Sequence, residues 1–346
     1  VETSSRHRHA ARIGLIWVGL GVSAFFAYLS VRNVRWSEVW DGLTSSNYWW
    51  VIPMVAFLLI AQGVRGLRWQ YLFPAETRPP YWPTFEATLL GQFFNTILPA
   101  RAGEVARIVA LHRTTRTSRA EITSTVVVER VFDVLALLTL LFVFVAWFPH
   151  VTWLHAAAVL AIIFFAATIV SIAVLFRWGE KPFLIMLKPL TRLGLPFLTI
   201  ERAEHAAASF VRGAAALRHP RLGVIAFGLS IVSWLVLGLS TWMLMIGFHL
   251  GLSPLAGLLV IIAVGLSLIL PASPGSVGVF EAAALVGLKA YGIEKADALS
   301  FAIVLHAVSI LPFLVFGGFV LWRQRRVEPG GSDSAVRATP SRRGSG

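Results

Sequence analysis

Cysteine is missing from all 346 residues, which excludes disulfides, thiolate catalysis and cysteine-ligated zinc. Charge is scarce as well: Asp, Glu, Lys and Arg together make up 14% of the chain, where an average soluble domain has about a quarter. So few charges cannot clothe a water-facing surface. The signatures of soluble enzymes are also lacking, since no phosphate-binding loop, dinucleotide fingerprint, zinc-protease helix or nucleophile elbow stands in a workable context. No cofactor and no metal site is expected, and His7 and His9 form only a weak metal-like pair near the N-terminus.

What is present is apolar. Hydrophobic residues make up 57% of the chain and the mean hydropathy is +0.74, values that fit a polytopic membrane protein. The net charge is +13, but its Lys and Arg cluster between apolar runs. That pattern fits a cytosolic face against anionic lipid, and nucleic acid is not expected as a partner. Arg6, Arg8 and Arg12 precede the apolar run 13–29 in a way that imitates a signal peptide. The run is long and ends without a small-x-small cleavage pattern, so a retained first helix is expected.

Runs long enough to cross a bilayer cover 13–29, 48–64, 125–148, 153–176, 222–248 and 298–322. Two further apolar stretches are interrupted. Ile97-Leu98-Pro99-Ala100-Arg101-Ala102-Gly103-Glu104 returns in altered form as Ile269-Leu270-Pro271-Ala272-Ser273-Pro274-Gly275-Ser276. The apolar part before each break is about 16 residues, or roughly 24 Å of helix, short of a hydrocarbon core of about 30 Å. Proline removes a backbone donor and glycine relaxes the chain, so each break leaves polar backbone groups at membrane depth.

Charge orients these pieces. If the first interrupted stretch crossed fully, Arg113, Arg116, Arg119 and the basic region from Arg177 to Arg221 would lie outside, against the positive-inside bias. A chain that enters, breaks and returns on the same side keeps them inside with Arg65, Arg68 and Arg78. The second hairpin then enters from outside. The expected architecture is all-α: six full spans plus two re-entrant helical hairpins arranged as inverted repeats. The repeats cover 48–148 and 222–322 of one transmembrane domain, 13–322, with a cytosolic amphipathic segment over 180–220 between them. A cytosolic arm, 1–12, and a disordered basic tail, 323–346, flank it, and both termini are cytoplasmic. Inverted repeats of broken helices place a ligand site near the midplane, where half-helix N-termini present unpaired N–H groups. The candidates here follow Ala102-Gly103 and Gly275-Ser276-Val277-Gly278.

Ionisable residues inside such a domain are expensive and mark function or pairing. Arg101, Glu104 and Arg107 recur every three residues and share a helix face, and Glu129 and Asp133 share a face of the next helix with Arg130 turned to another. Asp133 needs a partner, for which Arg101 or Arg107 is suitable. Two arginines and one acid form either a closed ion network or a site with surplus positive charge for an anion such as a lipid phosphate. Glu281 and His306 are lone polar groups in the second half, and His306 is either a hydrogen-bonded core residue or a proton relay. Arg65 and Arg68 beside Trp69 read as interfacial anchors. Asn95 is placed to satisfy a carbonyl freed at the first break.

Asn95-Thr-Ile-Leu-Pro99-Ala-Arg101-Ala-Gly103-Glu104-Val-Ala-Arg107, Val128-Glu129-Arg130-Val-Phe-Asp133 and Pro271-Ala-Ser-Pro274-Gly275-Ser-Val-Gly278-Val-Phe280-Glu281 together resemble the transmembrane region of lysylphosphatidylglycerol synthases, a flippase-like family. Ser276 departs from the second glycine more usual at its place. The resemblance covers most of 48–322 and implies movement of a lipid between leaflets. Its motif positions are Arg101, Glu104, Arg107, Glu129, Arg130, Asp133, Ser273, Pro274, Gly275, Gly278 and Glu281. The soluble synthase domain of the bifunctional members has no counterpart after 322, so aminoacyl transfer is not implied. The expected function is a lipid transporter of the bacterial inner membrane, moving a phospholipid or polyprenyl-phosphate-linked lipid with an anionic headgroup, and not an enzyme. The alternatives are a membrane-embedded lipid-phosphate transferase or phosphatase using Glu129 or Asp133 as base, and a non-catalytic partner presenting lipid to a glycosyltransferase or other lipid-modifying enzyme.

Overall fold

The computed structural model describes residues 2–98, 102–149, 159, 163, 220–268 and 273–327. The expected span over 153–176 lies outside them apart from two positions, as do nearly all of 180–220, Arg101 and Pro271, and the tail beyond 327. Every regular element among the described residues is helical. Three of these helices, Tyr48–Tyr71, Arg221–Gly247 and Lys295–Gln324, are long and apolar enough to cross a membrane.

Helix α1 (Glu2–Val31) includes residues 2–12, expected as an arm, and is followed by α2 (Trp36–Ser45). The sequence reading did not anticipate α2. It is short and two-faced: Val39 packs with Ala296 and Leu299, while Trp36 and Trp40 stay exposed, as aromatics do at a membrane interface.

Helix α3 (Val51–Tyr71) is introduced by a 3-10 turn at Tyr48–Trp50, where the Asn47 side chain accepts from the Trp49 N–H. It runs antiparallel to α7 (Pro220–Gly247). The Asn47 N–H donates to the Gly247 carbonyl, the Ser240 hydroxyl to the Met54 carbonyl and Arg68 to Ser230, so register is fixed along the whole pair.

Both breaks are present. Helix α4 (Tyr81–Ile97) stops before Pro99, α5 (Gly103–Thr115) resumes at Gly103, and the two fold back on each other. Gly103 meets Gly91 so closely that a Cβ on it would collide with the Gly91 carbonyl oxygen. In the second half, α8 (Pro254–Ser267) and α9 (Val279–Lys289) fold back in the same way, with Gly287 seated on Val260. Between them lies a 3-10 turn, Pro274–Ser276, in which Gly275, Ser276 and then Gly278 have positive φ. The second turn rests on the first hairpin, because the Cβ position of Gly275 is 3.7 Å from the Thr96 carbonyl oxygen.

Helix α6 (Arg119–Phe144) begins six residues before the expected span, because Ser118 caps it and accepts from the Glu121 N–H. Helix α10 (Lys295–Val327) crosses both hairpins: Gly317 lies against Phe93 of α4, and His306 reaches Glu281 of α9. It continues through 323–327, expected as tail, where Arg323 pairs with Glu86. One core of Leu58, Leu89, Leu137, Leu141, Leu237, Leu259 and Phe313 ties the first hairpin to the second.

Candidate functional site, a buried ionic cluster

Helical periodicity brings the charges together. On α6 the buried stripe runs Ile122, Thr125, Val126, Glu129, Phe132, Asp133, Ala136, so two carboxylates occupy places that the pattern gives to apolar residues. On α3 the stripe is Leu58, Ala61, Gln62, Arg68, Trp69, and on α5 it is Gly103, Arg107, Leu111. Where these three stripes meet, guanidinium and carboxylate groups interlock.

Arg68 is fully buried and forms the hub. Its Nη2 donates to Glu129 Oε1 at 2.7 Å, its Nη1 to Asp133 Oδ1, and the same Nη1 reaches the Ser230 hydroxyl at 3.0 Å. Arg107 Nη1 donates to Glu129 Oε2 at 2.9 Å, and its Nε lies 2.6 Å from Glu104 Oε2 as a charge contact. Arg130 spans Glu104 at 2.9 Å and Asp133 at 3.5 Å. The Trp234 indole N–H donates to Asp133 at 3.3 Å, and Arg107 lies over the Trp69 ring, whose own N–H is held by Thr125. Removing one member of such a buried network costs about 3–5 kcal/mol, because its partners remain desolvated and uncompensated.

Three expectations change here. Arg68, read as an interfacial anchor, is instead the centre of the cluster. No local signal marked it, since an arginine at the inner end of a span snorkels outward or turns inward without a difference in its neighbouring sequence. Asp133 pairs with Arg68 and Arg130, not with Arg107, and Arg101 lies outside the described residues. Asn95 accepts the Gly103 N–H at 2.9 Å, so it satisfies a donor rather than a carbonyl.

Arg65 completes the group. Its guanidinium carbon sits 4.7 Å from the centre of the Trp234 ring, and among the described residues it makes no ion pair or hydrogen bond. Four guanidinium groups, Arg65, Arg68, Arg107 and Arg130, therefore face three carboxylates, Glu104, Glu129 and Asp133. Among the described residues one positive charge is left over. The Arg130 side chain is 46% exposed against 5% or less for Arg68 and Arg107, so the accessible cations are Arg130 and the half-buried Arg65.

The other expected positions form a second group. Ser273, Pro274, Gly275 and Gly278 shape the turn, and Glu281 and His306 brace it. Three of its backbone donors are occupied: Ser273 N–H by Ser23 of α1, Ser276 N–H by the Ser273 carbonyl and Gly278 N–H by Glu281. The first break, in contrast, adjoins the charged cluster through Glu104 and Arg107. A polar recess of about 560 Å³, lined by Glu76, Arg78, Thr115, Arg116 and Glu121, opens between the loops at the far end of α5, about three turns from Glu104. Among the described residues no three His, Asp or Glu converge as metal ligands.

Long apolar helices, paired broken helices and an ionic cluster enclosed between them define a helical multi-pass membrane protein. The chain belongs to the lysylphosphatidylglycerol synthase transmembrane-region family, whose sequence profile matches residues 16–317. It is also similar to the UPF0104 membrane protein MJ1078 of Methanocaldococcus jannaschii, at 26% identity over 235 residues that cover 66% of this chain and 93% of that protein.

Proposed function

We propose that this protein moves an anionic lipid, a phospholipid or a polyprenyl-phosphate-linked molecule, between the leaflets of the bacterial inner membrane. The observation that carries this reading is the surplus positive charge of the Arg65–Arg68–Arg107–Arg130 cluster beside the first break. A cationic surplus set among apolar helices attracts an anion, and an arginine fork matches a phosphate. Arg65 and Arg130 are the receiving groups in this reading. Glu104 is the exchangeable counter-ion, since it holds Arg130 and lies beside Arg107, and it releases Arg130 when phosphate arrives. Acyl chains stay in the bilayer while the headgroup passes.

In the same reading the two hairpins dip from opposite faces as inverted repeats, accompanied by six full spans, with both termini in the cytoplasm. The antiparallel run of α3 against α7, each opening one repeat, supports that inversion. Glu129 and Asp133 are committed to guanidinium groups, which leaves neither free as a general base, so the proposal is transport without catalysis.

Reconstitution into liposomes tests it. The protein should speed the exchange of a fluorescent phosphatidylglycerol between leaflets, and Arg65→Gln should slow that exchange about tenfold, matching the loss of one charged contact of about 1.4 kcal/mol. Exchange no faster than in protein-free liposomes, across several anionic headgroups, would refute the reading.

A further inference from the structure

The hydrogen bonds at the second turn fix a proton count. His306 Nε2 lies 2.8 Å from the Gly275 carbonyl oxygen, and its Nδ1 lies 2.6 Å from Glu281 Oε1. A carbonyl only accepts, so Nε2 carries a hydrogen. Across the short Nδ1–Oε1 contact a second hydrogen is required, on the ring as imidazolium or on the carboxyl as acid, because two bare lone pairs repel at that distance. The pair therefore holds two protons and is neutral overall. Glu281 Oε2 is meanwhile occupied by the Gly278 N–H at 2.6 Å, and the Phe280 ring stacks on the imidazole at 4.3 Å.

We infer that His306 and Glu281 form a binding site for one exchangeable proton, which latches the Pro274–Ser276 turn to α10 when bound and frees it when released. Loss of that proton to water leaves one hydrogen for two contacts. Either Nδ1 faces the carboxylate bare or Nε2 faces the carbonyl bare, so one arm of the latch opens. It also leaves a net negative charge in an apolar setting, where His306 is 6% exposed, and that favours the bound state until water enters.

No described neighbour offsets the charge. The turn meets Ser23 of α1 and the Thr96 carbonyl of α4, both neutral. On α9 the other ionisable side chain is Lys289, about 12 Å along the helix from Glu281; on α10, Asp297 and Lys295 are about 13 Å or more from His306, and Arg323 is about 25 Å away. On α4, Glu86 is engaged by Arg323, and α2 places Glu38 and Asp41 toward the Lys295 end of α10. The described part of α8 carries no ionisable side chain. Because this turn abuts the end of α4 at the first break, opening it changes the wall of the region where the headgroup is proposed to pass. The proton is thus the coupling ion of the proposed transport, and in that role alone the inference rests on the lipid reading.

Two measurements test it. In liposome-embedded protein with 15N-labelled histidine, solid-state NMR should show one imidazole, absent in His306→Gln, with its Nε2 protonated and its Nδ1 proton held or shared, converting to a one-proton form as pH rises from 5 to 9. An imidazole with one bare, unshared nitrogen at every pH would overturn the proton site. Lipid exchange should change at least tenfold over the same pH range in the natural sequence and vary less than twofold in His306→Gln and Glu281→Gln. An unchanged pH profile in both variants would overturn the coupling. If the protein moved no lipid, the transport reading would fail while the NMR titration still decided the proton site.

Discussion

Single residues divide by whether their charge is already answered. Arg68 serves Glu129, Asp133 and Ser230 from a fully buried position, so Arg68→Ala takes the buried hub from two carboxylates and leaves Glu129 to Arg107 and Asp133 to the more distant Arg130. A stability loss of about 3–5 kcal/mol is expected, read as a lower melting temperature in detergent and poor recovery of folded protein. Arg65 has the Trp234 ring and, among the described residues, no ion-paired carboxylate, so Arg65→Gln should cost about 1 kcal/mol of stability while impairing lipid exchange. The contrast separates a residue that holds the cluster from one that faces a ligand. A fall in melting temperature with Arg65→Gln as large as with Arg68→Ala would place Arg65 among the holding residues instead.

At the scale of elements, the two hairpins solve the same problem differently. The first closes through backbone contact, because Gly103 packs on the Gly91 carbonyl and Asn95 caps the new helix. Gly103→Ala has no room for its methyl against backbone and should destabilise the hairpin by about 3 kcal/mol, measured by thermal unfolding; an unaltered melting temperature would contradict the close approach. The second closes through side chains and strained φ. Ser276 holds φ at 60°, a left-handed conformation that costs a side-chain-bearing residue about 1–2 kcal/mol. Ser276→Gly should therefore raise the melting temperature, and a decrease would mean that the serine side chain contributes more than the strain removes.

The whole molecule places a cationic cluster on the helices beside the first break and a neutral proton pair at the second turn, which rests on the end of α4. Its lack of cysteine makes orientation directly measurable, since any introduced thiol is unique. Arg113→Cys at the end of α5 and Glu294→Cys between α9 and α10 are both exposed positions. In intact spheroplasts a membrane-impermeant maleimide should label position 294 and spare position 113 until the membrane is opened. Labelling of both in sealed spheroplasts would overturn the inverted arrangement of hairpins.

Composition alone determined that this chain lives in a membrane, because 14% charge cannot solvate a surface. Local sequence determined where its helices break, since proline and glycine act on the backbone within one turn. It also picked out Glu104, Arg107, Glu129, Arg130 and Asp133, because a charge in an apolar run is conspicuous wherever it points. Which charges pair was decided only by tertiary structure. Arg68 lies 61 residues from Glu129 and 162 from Ser230, and nothing local distinguishes an arginine that snorkels to the interface from one that turns inward. The short helix α2 escaped notice for the same reason, as its apolar face has meaning only against α10. Periodicity fixes the face a residue occupies, and packing chooses what that face meets.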